Sequence, residues 1–249
     1  VVRRSSAMEQ RLVFVGGLHR SGTSLLTRCL MQHPLVSGFE GTGVPEDEGQ
    51  HLQTVYRPAK DFGGPGRFAF DPDVRLAEDS PLVTDESRRR LMEEWGRWWD
   101  TTKPVLAEKS PPNLVRGRFL QALFPGARLV MVQRHPLAVA YATQKWSRTS
   151  LRSLLRHWLA AHEAFEEDRP RLEHVQLVRY EDFVADPAAT LEAVYGSLGL
   201  EPVPPGIEIR ADANDAYLAQ WREEPRLRRA LLTRAFEERV QRFGYTLRA

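Results

Sequence analysis

Leu12-Val13-Phe14-Val15-Gly16-Gly17-Leu18-His19-Arg20-Ser21-Gly22-Thr23-Ser24-Leu25-Leu26 is the stretch on which the fold turns. The apolar run Leu12 to Val15, closed by glycine, reads as a buried parallel strand. Ser21, Thr23 and Ser24 then open a helix expected from about Gly22 or Thr23 to Met31, with Pro34 ending it. At such a junction the free backbone N–H groups and the positive end of the helix dipole favour a phosphate or sulfate. Gly17 to Gly22 keeps the G-x-x-x-x-G spacing of a P-loop, yet Thr23 stands where a nucleotide triphosphatase carries Lys. The cation sits earlier, at Arg20. The pattern implies a nucleotide anion held without the Walker lysine and without a magnesium-centred mechanism.

Outward from this junction, strands and helices alternate. Val105–Glu108, Ala127–Gln133 and Val175–Tyr180 are further apolar strand candidates. Helices are expected over 85–99, 113–123, 137–146 (begun at Pro136), 151–165, from Asp186-Pro187 to a stop at Gly199, and over 225–243. This alternation implies an α/β fold: a mostly parallel central sheet flanked by helices, with a P-loop-like nucleotide-binding core. One domain is expected over 1–249, with about residues 1–10 flexible. Residues 35–80 are irregular and rich in Gly, Pro, Asp and Glu, the signature of a substrate-binding or lid region. Ligands of such sheets bind beyond the carboxyl ends of the strands, where the glycine loop, Lys109, Arg134 and Tyr180 fall.

Composition excludes several classes. With 35 basic against 33 acidic residues the net charge is +2, so no global field recruits nucleic acid. Cys29 is the only cysteine and lies on the apolar side of the first helix. That rules out an intramolecular disulfide and leaves no cysteine cluster for a metal. No H-E-x-x-H or EF-hand spacing occurs, so no metal is expected. No apolar run reaches the roughly 18 residues of a membrane span, and no apolar segment precedes Gln10 as in a signal peptide. A cytoplasmic protein without a membrane partner is expected. The oligomeric state, homodimer included, is left open by the residues.

His19-Arg20-Ser21-Gly22-Thr23-Ser24 resembles the 5′-phosphosulfate loop of sulfotransferases that use adenosine 3′-phosphate 5′-phosphosulfate (PAPS). Its continuation through Pro34 is similar to the tyrosylprotein and bacterial small-molecule branches. Phe124 to Pro136, ending Arg134-His135-Pro136, resembles the strand that leads to the family's 3′-phosphate site. Leu177-Val178-Arg179-Tyr180-Glu181-Asp182-Phe183 resembles its Tyr-Glu-Asp segment. The resemblance implies transfer of the sulfuryl group, in line, from PAPS to a hydroxyl of a small-molecule acceptor such as a phenolic or glycosylated secondary metabolite. Adenosine 3′,5′-bisphosphate is then the second product. A small-molecule P-loop kinase and a non-catalytic nucleotide-binding scaffold are the alternatives.

On the same resemblance, Arg20, Ser21, Gly22, Thr23 and Ser24 cradle the 5′-phosphosulfate, and Arg20 stabilises the leaving group. Lys109, in Glu108-Lys109-Ser110-Pro111-Pro112-Asn113, reaches the transferring sulfuryl group. Arg134 binds the 3′-phosphate. Ala142 stands where the family has a serine partner for that phosphate; either Thr143, which follows it, substitutes after a small shift of the helix, or one phosphate donor is missing. Tyr180 lies near the adenine, while Asn214 and Tyr217, with Trp221 close by, occupy the region that closes over the adenosine in relatives. For the general base the candidates are His51 and Glu48, then Glu46 and Glu40. Clustered carboxylates raise one another's pKa, and imidazole titrates near neutrality.

Overall fold

Arg11–Gly17 forms strand β1, buried at every position from Leu12 onward. Burial on both faces is why it reads as an uninterrupted apolar run rather than an alternating one. The computed structural model describes residues 10–248, so the segment expected to be flexible lies outside it except for Gln10. Helix α1 (Thr23–Leu30) follows β1 directly. Four more strands complete the sheet: β2 (Val36–Ser37), β3 (Val105–Lys109), β4 (Arg128–Gln133) and β5 (Val175–Arg179). The order is β2-β3-β1-β4-β5 and all pairs are parallel. Val15 pairs with Lys109, Gly17 with Val132 and Gln133 with Arg179, so the expected chemistry gathers at one end of the sheet.

Alternation along the strands builds two cores. Val13, Val15, Val130 and Val132 face α1 and α7 (Pro187–Ser197), which bury Leu26, Cys29 and Leu30, and Leu191, Val194 and Tyr195. Phe14, Leu106, Leu129 and Met131 face the other way. There they meet α2 (Asp85–Gly96), α3 (Gly117–Leu123), α4 (Pro136–Gln144) and α5 (Leu151–Asp168), with Trp95, Phe119 and Trp158 among the largest buried groups. Each of those aromatics contributes on the order of 2–3 kcal/mol by leaving water. Asp186 caps α7 through the Ala189 N–H at 3.0 Å, as the Asp-Pro pair implies.

Several elements differ from the sequence expectation. The helix expected over 113–123 divides into a 3-10 turn, Pro111–Val115, and α3, the two prolines starting the tighter turn. Tyr180 does not end β5 but opens a short helix, α6 (Tyr180–Ala185). A further helix, α8 (Asp215–Glu223), precedes the last one, α9 (Arg226–Gln241). Residues 35–80 are irregular as expected, with five 3-10 turns and the two-residue β2. They are nevertheless anchored, because Tyr56, Ala59, Phe62, Phe68 and Val74 belong to the core. Buried Arg116 holds this segment from beneath, donating to Val74 O at 3.0 Å and Arg57 O at 2.9 Å.

Candidate active site

A cleft of about 510 Å³ opens at the carboxyl ends of β1, β3 and β4. Its floor is the turn between β1 and α1. Arg20 adopts φ 69 and Gly22 φ 104, the left-handed conformation that swings successive backbone N–H groups toward one side. A Cβ at Gly22 would overlap the Tyr180 ring, so glycine is required there by space as well as by φ. No side chain caps the N-terminus of α1 and no acidic residue stands in its first turn. Its orphan N–H groups are therefore open to an anion. Ser21 Oγ and His19 Nδ1 are buried without a protein partner, two further polar atoms at the same turn. Burial, with Lys109 and His51 nearby, pushes the His19 pKa down to about 3, so its ring is neutral.

Arg134 marks one end of the cleft. Its guanidinium donates to Arg20 O at 2.9 Å, Ala213 O at 3.0 Å and Asn214 Oδ1 at 2.7 Å, and lies 4.1 Å from the Tyr180 ring centroid. Asn214 is oriented by Glu181, which accepts from its Nδ2 at 2.7 Å. No carboxylate forms an ion pair with Arg134 among the described residues. Tyr180 is buried with one ring face against Arg134, and it lines the cleft. Thr143 lines the cleft from α4 and Ala142 does not, although both are almost fully buried. Trp146, one turn further and 68% exposed, also lines it, with the Arg20 guanidinium 4.8 Å from its ring.

At the other end Lys109 Nζ donates to Glu46 O at 2.6 Å and lies 3.4 Å from Glu48 Oε1. Both side chains are about 95% buried, so this is an ion pair largely outside water. Burial pushes the Glu48 carboxyl up against the pull of Lys109. His51 Nε2 lies 3.8 Å from Glu48 Oε2, and its pKa is lowered by burial and by Lys60 and Lys109. Glu46 accepts from Ser24 Oγ at 3.2 Å, which joins this carboxylate segment to the anion loop. Glu46 and Asp47 adopt φ 54 and φ 48, a strained pair that Asp47 secures by accepting from Thr42 N at 2.8 Å and Thr42 Oγ1 at 2.6 Å. Behind them, Trp95 Nε1 donates to Gly49 O at 3.0 Å. The expected lid is at this point a pinned wall.

The cleft thus brings together Arg20, Gly22, Thr23, Ser24, Glu46, Glu48, His51, Arg134, Thr143 and Tyr180. Lys109 lies beneath the wall and lines a smaller cavity of about 430 Å³ on its far side, with Ser24, Arg28 and Glu46 shared between the two. Glu40 is exposed and lines neither cavity, because the turn at Gly41 to Gly43 carries the chain away before Glu46 returns. Tyr217 sits beside Arg134 and Lys145 without lining the cleft, and Trp221 is packing, its Nε1 donating to Leu247 O at 2.9 Å. Sequence reasoning missed Gln50 and Glu108. Both are buried polar residues whose significance lies in partners far along the chain, and an apolar-polar pattern does not register that.

A sequence model of the sulfotransferase family matches residues 13–205. Solved structures with the same fold include a sulfotransferase from Alicyclobacillus acidocaldarius (16% identity, 94% of this chain and 95% of that one, TM-score 0.52). The sulfotransferase domain of the Synechococcus PCC 7002 olefin synthase is 18% identical over 95% and 96%, with TM-score 0.53. The sulfotransferase domain from the curacin biosynthetic pathway is 16% identical over 94% and 96%, with TM-score 0.54.

Proposed function

This chain belongs to the sulfotransferase family, and from that premise we propose that it takes PAPS as donor and a small-molecule hydroxyl as acceptor. The observation that carries the reading is a single cleft with an uncapped helix N-terminus, Arg20 and Arg134 at one end and the Lys109–Glu48 pair beside the other. The free N–H groups of the first turn of α1 fit the oxygens of a 5′-phosphosulfate, whereas Ser21 is fully buried and its side chain does not line the cleft. Arg134 and Thr143 fit a 3′-phosphate. PAPS supplies a sulfuryl group on a phosphate leaving group; nothing in the chemistry needs a redox or carbanion step.

The chain's residues divide that reaction among themselves. Arg20 and the α1 amides stabilise the charge that builds on the leaving phosphate as its bond to sulfur breaks. Arg20 stays protonated throughout and is no acid. Glu48 accepts the proton of the acceptor hydroxyl as the new sulfur–oxygen bond forms. Lys109 keeps that buried carboxylate ionised. His51 borders the same carboxylate and is the second choice of base. Leu25, Pro45, Ala59, Pro65, Pro111 and Trp146 give the cleft an apolar lining, suited to the body of a phenolic or glycosylated metabolite. Two of the similar structures, from the olefin synthase and the curacin pathway, are domains of biosynthetic enzymes, which supports a metabolite acceptor.

Calorimetry with adenosine 3′,5′-bisphosphate against ATP tests the donor. Preference for the bisphosphate is expected; preference for ATP would turn the reading toward a kinase, and binding of neither toward a scaffold. Glu48→Gln tests the base: bisphosphate affinity should hold while turnover falls on the order of 10²-fold or more.

A further inference from the structure

Gln50 is among the most enclosed polar residues of the molecule, 1% exposed, yet it reaches the cleft. Its amide orientation follows from its neighbours. Ala59 N–H can only donate, and it meets Gln50 Oε1 at 2.7 Å. The other end of the amide is therefore the NH2 group, and it donates to Glu48 Oε2. The backbone of Gln50 is fixed as well: its N–H donates to Ser110 Oγ at 2.8 Å, and its carbonyl accepts from Gln53 Nε2 at 3.0 Å. Ser110 Oγ in turn contacts Glu108 Oε1 at 2.5 Å. At Gly49 a Cβ would run into the Glu108 side chain, so residues 49 and 50 lie flat against the end of β3.

We propose that Gln50 is a positioning residue for the transfer step, aiming the Glu48 carboxylate at the acceptor and tying it to the cleft wall at Ala59. The inference rests on the reading of Glu48 as the base. Glu48 Oε1 is engaged by Lys109, so the direction of Oε2 is what remains to be set, and Gln50 sets it. A donor aimed at a carboxylate favours its ionised form, which is the form a base needs. The other charges around Glu48 are Lys109 and Glu108 on β3 and Glu46 and His51 on its own segment. Lys109 alone does not fix geometry, because an ammonium group has no directional fork.

The test reads Glu48 directly, by ¹³C NMR of carboxyl-labelled glutamate, with the resonance assigned by its loss in Glu48→Gln. In Gln50→Leu the Glu48 titration should move up by about one pH unit, since a donor to the ionised form is gone. Gln50→Glu keeps the acceptor for Ala59 N–H and places a second acid beside Glu48, so it should move the titration up too; it serves if Gln50→Leu does not fold. Turnover of PAPS with 2-naphthol as acceptor probe should fall about tenfold at neutral pH, with the acidic limb of the profile moving by the same shift. Affinity for adenosine 3′,5′-bisphosphate should stay within about twofold, because Gln50 needs no contact with the nucleotide. An unmoved Glu48 titration in a folded Gln50 variant overturns the proposal. A Glu48→Gln enzyme with parental turnover would instead remove the base reading, a separate failure.

Discussion

Arg134 and Lys109 are buried almost equally, 7% and 4% exposed, at opposite ends of one site, but their partners differ in kind. Arg134 is hydrogen-bonded to two carbonyls and an amide oxygen and packed on an aromatic ring, with the Glu181 carboxylate one step away behind Asn214. It has no ion-pair partner in direct contact among the described residues. Lys109 has its carboxylate already, in Glu48. A buried cation without an anion is costly, and that cost is relieved when an anionic ligand arrives. A buried pair has no such vacancy, and its energy goes into holding geometry. On the proposed reading the first end recognises the nucleotide and the second stays in place.

The largest expected effect comes from breaking the pair. Lys109→Met leaves Glu48 buried without its cation, with only Gln50 still donating to it. Removing one partner of a buried ion pair costs about 3–5 kcal/mol, part of it relieved by protonating Glu48. Turnover should fall on the order of 10²- to 10³-fold, and the acidic limb of the rate profile should move to higher pH. A loss confined to KM for PAPS would show that Lys109 only binds.

Glu108 sharpens the same contrast, as a carboxyl at the paired end without a cation of its own. Fully buried, and relieved only in part by Ser110 and Asn113, it is pushed up from 4.5 to about 7. The folded chain therefore holds this proton more tightly than the unfolded chain. The associated stability is present below about pH 4.5 and is lost as pH rises toward 7, on the order of 3 kcal/mol in all. Glu108→Gln keeps the shape without the ionisation. Its melting temperature relative to the parent should therefore rise between pH 5 and pH 8; an equal difference at both would show that Glu108 is ionised at little cost.

At the recognition end, Arg134→Ala should weaken adenosine 3′,5′-bisphosphate by about 2–3 kcal/mol and leave adenosine 5′-monophosphate nearly unchanged. The melting temperature should not fall as it does for Lys109→Met, because no carboxylate is orphaned. Equal losses for both nucleotides in calorimetry would place Arg134 elsewhere than at the 3′-phosphate.

The recognition end was the more legible in the sequence, and the reason is physical. Its residues follow strand ends directly: the Gly17–Ser24 turn after β1 and Arg134 after β4, both announced by apolar runs and glycine or proline. The paired end depends on residues brought together from far apart. Glu48 meets Lys109 across 61 positions, and Gln50 meets Ser110 across 60. Nothing local in Pro45 to His51 distinguishes a solvated acidic loop from a pinned wall. The packing around Tyr180 was hidden for a related reason. The residue's place after β5 was visible, but the close packing of Gly22 and Arg134 on its ring was not. Helix α8 escaped because its only buried residue is Trp221, too little for an apolar stripe.

The smallest effect tests which residue of α4 completes the recognition end. The family resemblance puts a serine at 142, where this chain has Ala142, 2% exposed and outside the cleft lining. Thr143, the next residue, turns about 100° further around the helix and does line the cleft. On the proposed reading its hydroxyl is the one offered to a 3′-phosphate. Thr143→Val keeps the shape and removes the hydroxyl, so bisphosphate affinity should fall by about 1–2 kcal/mol with the monophosphate unaffected. Ala142→Ser restores the family residue but puts its hydroxyl among packed apolar groups. It should gain no affinity and lose about 1 kcal/mol or more of stability in thermal unfolding. Tighter bisphosphate binding by Ala142→Ser, with Thr143→Val silent, would mean that α4 turns on binding and that position 142 faces the nucleotide after all.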